Sequence, residues 1–379
     1  MIALVTTAFA VALMAAPFHT AAHKTASAEA GGTETGSASF SQVSQAADRA
    51  RNQGHLSDAI RLYSQALRIK PDWKEGLWYL GAALYDDKQF AQARNVLRRF
   101  VAYDPEPGLG WALLGMSEFQ TRQYSRSLDH LQRAMAQGMR DQKDLAQSVF
   151  YTAAVLLTRF EHYDDSMGLL LALVKSGQPA GPLTEAVGLA ALRMPYLPAE
   201  IPSDRHDLVN MAGEGTLAIE AQHRDDAERL FREMVAAYPG DPGTHFLYGA
   251  YLLGVRPEDG VRELKKELEV SPSNIPARLR LTEEYVKEQQ LDLALPLAQQ
   301  AVKLDRKRAP AHMMLGEVLV AKGDLDAGIR ELETAREEEP QTVRIRWDLM
   351  RAYLSAGRSQ DAAREKEEIE KLSQSGPGE

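Results

Sequence analysis

The stretch Gly54-His-Leu-Ser-Asp-Ala59 has a counterpart near the other end of the chain, Gly323-Asp-Leu-Asp-Ala-Gly328. Gln89-Phe-Ala-Gln-Ala93 and Gln290-Leu-Asp-Leu-Ala294 follow the same pattern, in which a large apolar residue precedes a small residue by three positions. When the chain is aligned on this pattern, repeats start at residues 40, 74, 108, 147, 208, 242, 275, 309 and 343. An internal period of this size predicts equal units that stack and bury their apolar faces on one another.

The repeats have a nearly constant length. Six of the eight steps between their starts are 33 or 34 residues, and the other two are 39 and 61. Two apolar-periodic stretches in each repeat predict two helices, which we expect to begin near repeat positions 4 and 18. The nine repeats together cover residues 40–376.

Small residues recur where the two helices of a repeat would cross. They let the helix axes approach closely, and a large residue at position 24 fills the space beside the crossing. Position 8 is Ala or Gly in seven repeats, and position 20 is Ala, Gly or Ser in all nine when the sixth repeat's missing residue is placed in its turn. A proline at position 32 ends five second helices: Pro71, Pro105, Pro239, Pro272 and Pro340.

The second and third repeats carry the fullest pattern: Leu77, Leu80, Gly81, Leu84, Ala93, Leu97 and Pro105, then Trp111, Leu114, Gly115, Leu131 and Ala134. This pattern resembles the tetratricopeptide repeat family. The resemblance implies an all-α, right-handed superhelical solenoid of about nine helix pairs. Its N-terminal arm of four repeats would span 40–180, and its C-terminal arm of five repeats 208–376. Lys366 at position 24 of the last repeat, with the glutamates around it, predicts a capping helix over 359–372.

Residues 181–207 interrupt the period. Leu183–Arg193 predicts an extra helix, whereas Met194–Pro202 contains three prolines and favours an extended path. This proline-rich segment is a connector packed against the solenoid, or else a hinge or a partner-docking element. The apolar side chains expected to pack in the first case are Tyr196, Leu197 and Ile201.

The N-terminal segment has the character of an export signal. Residues 1–22 contain no Lys, Arg, Asp or Glu, and Ala26-Ser-Ala28 has the small residues that signal peptidase accepts. We expect residues 1–28 to be a signal peptide, or a weak N-terminal anchor, because no basic residue precedes the apolar stretch. Residues 29–39 are expected to be a flexible tether and residues 377–379 a tail.

Composition excludes several classes of function. The 379 residues include no cysteine, which rules out disulfides, thiolate metal sites and cysteine nucleophiles. A net charge of −9 argues against general affinity for nucleic acid or anionic lipid. No glycine-rich phosphate loop, nucleophile elbow or metal-spaced histidine pair occurs, so we expect no enzyme activity, cofactor or metal. The local cluster Glu161-His-Tyr-Asp-Asp165 is either a solvated inter-helix turn or the one possible handle for a hydrolase.

In the family that the chain resembles, positions 2, 5, 9, 12 and 13 of each first helix line the concave face. The N-terminal arm then presents a partner-binding groove of Glu75, Trp78, Tyr85, Asp86, Met116, Phe119, Tyr151 and Arg159. The C-terminal arm presents a mixed-charge wall of Glu283, Lys287, Met313, Glu317, Trp347 and Arg351. Packing between neighbouring first helices is the alternative role for the aromatic side chains. The Lys and Asn pair that clamps a carboxylate in chaperone-tail-binding relatives is absent at positions 5 and 9 of the first three repeats.

These observations predict a non-catalytic scaffold of the bacterial cell envelope, exported to the periplasm, that binds a protein or peptide ligand in a concave helical groove. The first alternative is an assembly subunit of an envelope or secretion complex, tethered to the membrane by residues 1–20 if they are not cleaved. The second is an accessory subunit or a cryptic hydrolase. Nucleic acid is not an expected partner, and oligomerisation stays open.

Overall fold

The computed structural model describes residues 39–105, 108–139, 142–177 and 180–374. These residues form nineteen α-helices and two short 3₁₀ turns, and they contain no strand. The all-α solenoid predicted from the sequence is confirmed. The predicted signal peptide, most of the tether and the tail lie outside the described residues.

The chain divides into two compact units, an N-terminal unit that ends at His206 and a C-terminal unit that begins at Asp207. The N-terminal unit contains α1 (Phe40–Asn52), α2 (Leu56–Ile69), α3 (Lys74–Asp86), α4 (Phe90–Tyr103), α5 (Gly108–Gln120), α6 (Tyr124–Gln137), α7 (Lys143–Arg159), α8 (Tyr163–Lys175) and α9 (Thr184–Ala191).

The C-terminal unit contains five further pairs, and the first of its helices begins one residue before the boundary. They are α10 (His206–Glu220), α11 (Arg224–Ala237), α12 (Thr244–Leu253), α13 (Pro257–Val270), α14 (Ile275–Lys287), α15 (Leu291–Leu304), α16 (Ala309–Ala321), α17 (Leu325–Glu338), α18 (Val343–Ser355) and α19 (Ser359–Gln374).

The first helices begin earlier than the sequence predicts. In six pairs the first helix begins at repeat position 1 rather than near position 4, as α3 does at Lys74. The first turn of α3 holds Lys74 and Glu75, which are exposed and therefore carry no apolar periodicity. Before α1, Ser39 accepts a hydrogen bond from the Gln42 backbone N–H and caps the helix, although it belongs to the predicted tether.

A three-residue turn joins the helices of every pair. Its middle residue, at repeat position 15, has a positive φ in each pair except α12 and α13. Glycine occupies this position at Gly323, but Lys88 and Glu161 adopt the same conformation with φ of 59° and 65°. The turn geometry is therefore set by the helix pair and tolerates side chains that this conformation disfavours.

The helix pairs cross at glycine, as the repeat pattern predicts. A Cβ placed on Gly115 of α5 would lie 2.8 Å from Leu131 Cδ2 and 3.2 Å from the Leu131 backbone nitrogen on α6. Gly316 of α16 has the same relation to Leu332 of α17. Both leucines are buried, so the close approach of the axes fills each crossing with a large side chain.

The interruption after α8 forms a short helix and a packed connector. Helix α9 is shorter than the predicted Leu183–Arg193, and Pro198–Glu200 forms a 3₁₀ turn within the proline-rich segment. Leu197 and Ile201 are buried, whereas Tyr196 remains 37% exposed. Two of the three apolar side chains thus pack as the connector interpretation expects, and the third does not.

Helix α19 has polar side chains at positions that are apolar in other second helices. Lys366 is exposed at the position that Leu332 fills in α17. Among the helices of the described residues, none has the length and apolar character needed to cross a bilayer.

Candidate functional site

Two of the predicted groove residues in the N-terminal unit lie in the core. Trp78 is buried, and its ring packs against the ring of Phe100 on α4 with centroids 5.4 Å apart. Met116 on α5 is also buried. For these two residues the structure matches the packing alternative.

Two aromatic residues at repeat position 12 keep partial exposure. Tyr85 on α3 contacts Phe90, which begins α4, with ring centroids 5.4 Å apart. Phe119 on α5 contacts Tyr124, which begins α6, at 5.7 Å. In each pair an aromatic residue of the second helix fixes the ring of the first, so the exposed part of Tyr85 and Phe119 is held in one orientation.

Tyr85 and the neighbouring Asp86 are partly desolvated by the surrounding protein. Burial, followed by the charge of Asp86, raises the pKa of Tyr85 to about 12. Asp86 remains accessible to solvent, yet desolvation by the surrounding protein raises the pKa of its carboxyl to about 6. Accessible groups that are nevertheless desolvated are typical of a recessed surface. Glu75, the other carboxylate predicted for this groove, is exposed at the start of α3.

The next first helix, α7, adds Tyr151, which is partly exposed. Burial and the nearby charge of Glu185 on α9 raise its pKa to about 12. Helix α5 packs against both α3 and α7, so the first helices adjoin one another in sequence order. We refer to Tyr85, Phe119 and Tyr151 as the aromatic row.

The proline-rich connector, residues 194–202, accepts hydrogen bonds from Arg159, the last predicted groove residue of α7. Arg159 Nη1 donates hydrogen bonds to the carbonyl oxygen of Pro195, at 3.0 Å, and to Glu200 Oε2, at 2.8 Å. The same Glu200 oxygen accepts a hydrogen bond from the Leu197 backbone N–H at 3.2 Å. Arg159 therefore anchors the connector. Glu200 could not be anticipated because it lies 41 residues away in the sequence.

In the C-terminal unit the predicted charged residues mostly pair within their own helix. Lys287 Nζ lies 3.3 Å from Glu284 Oε2 and 3.9 Å from Glu283 Oε1, all on α14. Arg280 of the same helix donates to Glu283 at 3.3 Å. Such pairs on one helix contribute little stability and leave the side chains at the surface. Met313 on α16 is buried.

Glu317 of α16 and Asp348 of α18 form a carboxyl pair between two first helices. Arg344 Nη2 donates to Glu317 Oε1 at 3.3 Å, and Arg344 Nε lies 4.0 Å from Asp348 Oδ2. Burial raises the pKa of Glu317 to about 7, and the hydrogen bond and charge of Asp348 act in the same direction. Sequence reasoning missed Asp348 because its repeat position, 6, is not one that lines the concave face in the family.

The last two predicted residues, Trp347 and Arg351, are exposed on α18. Arg351 Nη2 donates to Asp348 Oδ1. Leu354, one turn further along the same helix, is also exposed and was not predicted. Its repeat position, 12, is one of those that line the concave face in the family, so the same rule could have identified it.

The cluster from Glu161 to Asp165 spans the end of the inter-helix turn and the first turn of α8, where Tyr163 is buried. His162 and Asp165 are both exposed, with Nδ1 and Oδ2 3.8 Å apart. Within the part of the chain that the structure describes, no group of three His, Asp or Glu side chains is placed to hold a metal ion.

The helix pairs and their glycine crossings are the geometry of tetratricopeptide repeats, and the family model agrees. The tetratricopeptide repeat model matches residues 50–116 and 285–342. These two segments are tetratricopeptide repeats. The first segment covers residues of the first three repeats and the second covers residues of the seventh and eighth, one segment in each compact unit. Proteins built from these repeats are protein-interaction scaffolds and are generally non-catalytic.

Comparison with solved structures returns several tetratricopeptide repeat structures of MamA. MamA from residue 41 to the end, from Desulfovibrio magneticus RS-1, is 20% identical over 46% of this chain and 98% of its own, with a TM-score of 0.41. Another MamA crystal structure is 21% identical over 42% of this chain and 94% of its own, with a TM-score of 0.39. No curated protein matches the chain.

Proposed function

We propose that this tetratricopeptide repeat protein is an exported scaffold of the bacterial cell envelope that binds a peptide segment of a partner protein along α3, α5 and α7. The observation that carries the proposal is the aromatic row. It consists of three partly exposed rings on three adjoining first helices, two of which are held in place by an aromatic residue of the second helix. Rigid aromatic side chains supply much contact area at low entropic cost, which makes them common anchors at binding surfaces.

The chemistry of the row favours a ligand with apolar side chains and a basic group. Asp86 is the carboxylate next to Tyr85, and a ligand cation would stabilise its ionised form against the desolvation that raises its pKa. Arg159 is already engaged by the connector and is not expected to bind the ligand.

Peptide selection on the full-length protein tests the proposal. We expect selected peptides to bind the wild type and to lose binding when Tyr85→Ser and Phe119→Ser are combined. The matched control is Tyr103→Ser, which removes an exposed tyrosine from α4 in the same unit. Trp78 is unsuitable for this test because it belongs to the core. Peptides that bind all three proteins equally, with unchanged far-ultraviolet circular dichroism, would show that the aromatic row is not the binding site.

Export rests on residues 1–28 and needs its own experiment. We expect the protein isolated from the periplasmic fraction of a Gram-negative host to begin at Glu29 by mass spectrometry, because Ala26-Ser-Ala28 precedes it. An intact N-terminus in the membrane fraction would support the tethered assembly subunit instead.

A further inference from the structure

One face of α18 combines exposed apolar and basic side chains. Trp347 and Leu354 are 46% and 55% exposed, and their spacing of seven residues places them on the same side of the helix. Arg351 lies between them and Arg344 one turn before Trp347, with side chains 70% and 55% exposed. We call Arg344, Trp347, Arg351 and Leu354 the α18 face.

The same repeat positions are covered in the preceding pairs. On α12, α14 and α16, positions 5 and 12 pack against the core that contains the next first helix. On α12 they are Phe246 and Leu253, which pack with α14. On α14 they are Leu279 and Val286, which pack with α16. On α16 they are Met313 and Val320, which pack with α18. On α18 the corresponding residues are Trp347 and Leu354, and no helix of the described residues covers them. The α18 face therefore corresponds to the surface that each of the three preceding first helices uses to pack against the next one.

The charges on this face select the kind of helix that fits. The two carboxylates beside it are withdrawn, because the side chains of Asp348 and Glu317 are only 3% and 19% exposed. The two guanidinium groups extend outward, and each arginine has five N–H donors, more than its contacts with Asp348 and Glu317 require. A carboxylate on the incoming helix would form charge-assisted hydrogen bonds with these donors.

A second copy of the chain fits poorly. Two α18 faces packed together would place arginines against arginines while their carboxylates stay buried. The other end of the described repeats does not complement the face either. The exposed residues of α1 are Ser41, Gln42, Gln45, Arg49 and Asn52, which are polar or basic, and its one carboxylate, Asp48, is engaged by Tyr63 and Arg51. Charge complementarity thus favours a different protein.

We infer that the α18 face is a docking site for an acidic amphipathic helix of a partner protein, which packs where the next first helix of the stack would lie. The core-facing residues of α18 itself, Ile345, Leu349 and Tyr353, show the spacing that such a helix needs: apolar residues at every fourth position. Glutamate or aspartate beside this apolar ridge reaches Arg344 and Arg351. This site lies in a different unit from the aromatic row and does not depend on it.

The test uses full-length protein and two synthetic helical peptides. One has leucine at every fourth position with glutamate beside the leucines, and the other has lysine in place of each glutamate. By fluorescence anisotropy we expect the glutamate peptide to bind the wild type. Trp347→Ser combined with Leu354→Ser should weaken it roughly tenfold or more. Arg344→Glu combined with Arg351→Glu should abolish its binding and create binding of the lysine peptide.

The matched control is Arg262→Glu combined with Arg364→Glu, two exposed arginines on second helices. It should leave both peptides unaffected. If the arginine variants on α18 misfold by circular dichroism, the Trp347 and Leu354 variant still decides the question, since these two side chains are exposed and the variant keeps the arginines that pair with the buried acids. Equal binding of both peptides to the wild type would overturn the inference. A wild-type dimer that Trp347→Ser dissociates in sedimentation analysis would also overturn it, because a second copy would then cover the face.

Discussion

His245 and His312 stand at the same repeat position, 4, in two different helix pairs and make the same two contacts. Their Nε2 atoms lie 3.1 Å and 2.9 Å from the carbonyl oxygens of Pro239 and Arg306, each at position 32 of the preceding repeat. Their Nδ1 atoms lie 2.6 Å from Glu263 and Glu331 on the second helix of their own pair. Because a carbonyl oxygen only accepts, Nε2–H donates, and each histidine ties its first helix to the end of the previous pair.

Other side chains perform the same task elsewhere in the chain. Trp111 Nε1 donates to the carbonyl oxygen of Pro105 at 2.7 Å, and Arg346 donates to that of Pro340 at 2.7 Å. In both cases the donor is at position 4 and the acceptor at position 32. Four repeats thus form the same link with three different residue types, whereas the repeat that begins at residue 74 has Leu77, which has no side-chain donor, at this position.

His312→Ala should reduce stability because it leaves the Arg306 carbonyl and the Glu331 carboxylate without their partner. A lost hydrogen bond in a buried setting costs about 1–3 kcal/mol. Urea unfolding followed by circular dichroism measures the change. His55→Ala is the control, since His55 is exposed and makes no side-chain cap to α2. Equal midpoints for the two variants would mean that the contacts of His312 contribute nothing.

Gly115→Ala should destabilise the α5 and α6 pair. The added methyl group would meet Leu131 side-chain and backbone atoms at 2.8–3.2 Å, so the helices must separate, at a cost of about 1–3 kcal/mol. Gly168→Ala on α8 is the matched control, because its added methyl group meets nothing within 4 Å. The free energy of unfolding of that variant should rise by up to about 1 kcal/mol, because alanine has a higher helix propensity than glycine. Thermal unfolding of both proteins shows whether the signs differ as expected.

Glu161→Gly should stabilise the protein. Glu161 has a φ of 65°, a conformation that costs a residue with a side chain about 1–2 kcal/mol and costs glycine nothing. The entropy that glycine adds to the unfolded chain offsets part of this gain. Glu161→Ala, which keeps the Cβ, serves as the control in denaturant unfolding. A gain in the alanine variant as large as that in the glycine variant would assign the effect to the lost carboxylate.

Glu317 should make stability fall as the pH rises through the interval from about 4.5 to about 7. Its pKa is about 7 in the folded state against a usual value of 4.5, so the folded chain binds one proton more than the unfolded chain in this interval. The slope is at most about 1.4 kcal/mol per pH unit. Glu317→Gln should flatten the dependence of the unfolding free energy on pH. It should also raise stability above pH 7, where the wild type must bury an ionised carboxylate.

The measurement is the free energy of unfolding across that interval. Glu370→Gln, which removes an exposed carboxylate from α19, should keep the wild-type slope. If Glu317→Gln also keeps the wild-type slope, the extra proton of the folded chain is not bound by the carboxyl pair of Glu317 and Asp348.

Local features of the fold were predictable because one repeat carries all the information for one helix pair. The second helix begins at position 17 in eight pairs, one residue from the expected start. The crossing of Gly115 and Leu131 follows from their spacing within a single repeat. The first-helix starts were misjudged by three residues because their opening turns are solvated and leave no apolar pattern.

The accessible surface was not predictable in the same way. Met313 and Trp347 share repeat position 5, yet Met313 is buried and Trp347 exposed, because a following first helix packs beside α16 and none of the described residues does so beside α18. Similarly, Arg159 was expected in the groove, but the distant connector engages it through Glu200. The amino-acid sequence establishes the period, the helix pairs and their crossings, since these depend on interactions within about one repeat. Which side chains remain open to a partner depends on contacts between segments far apart in the chain, and these exist only once the pairs have stacked.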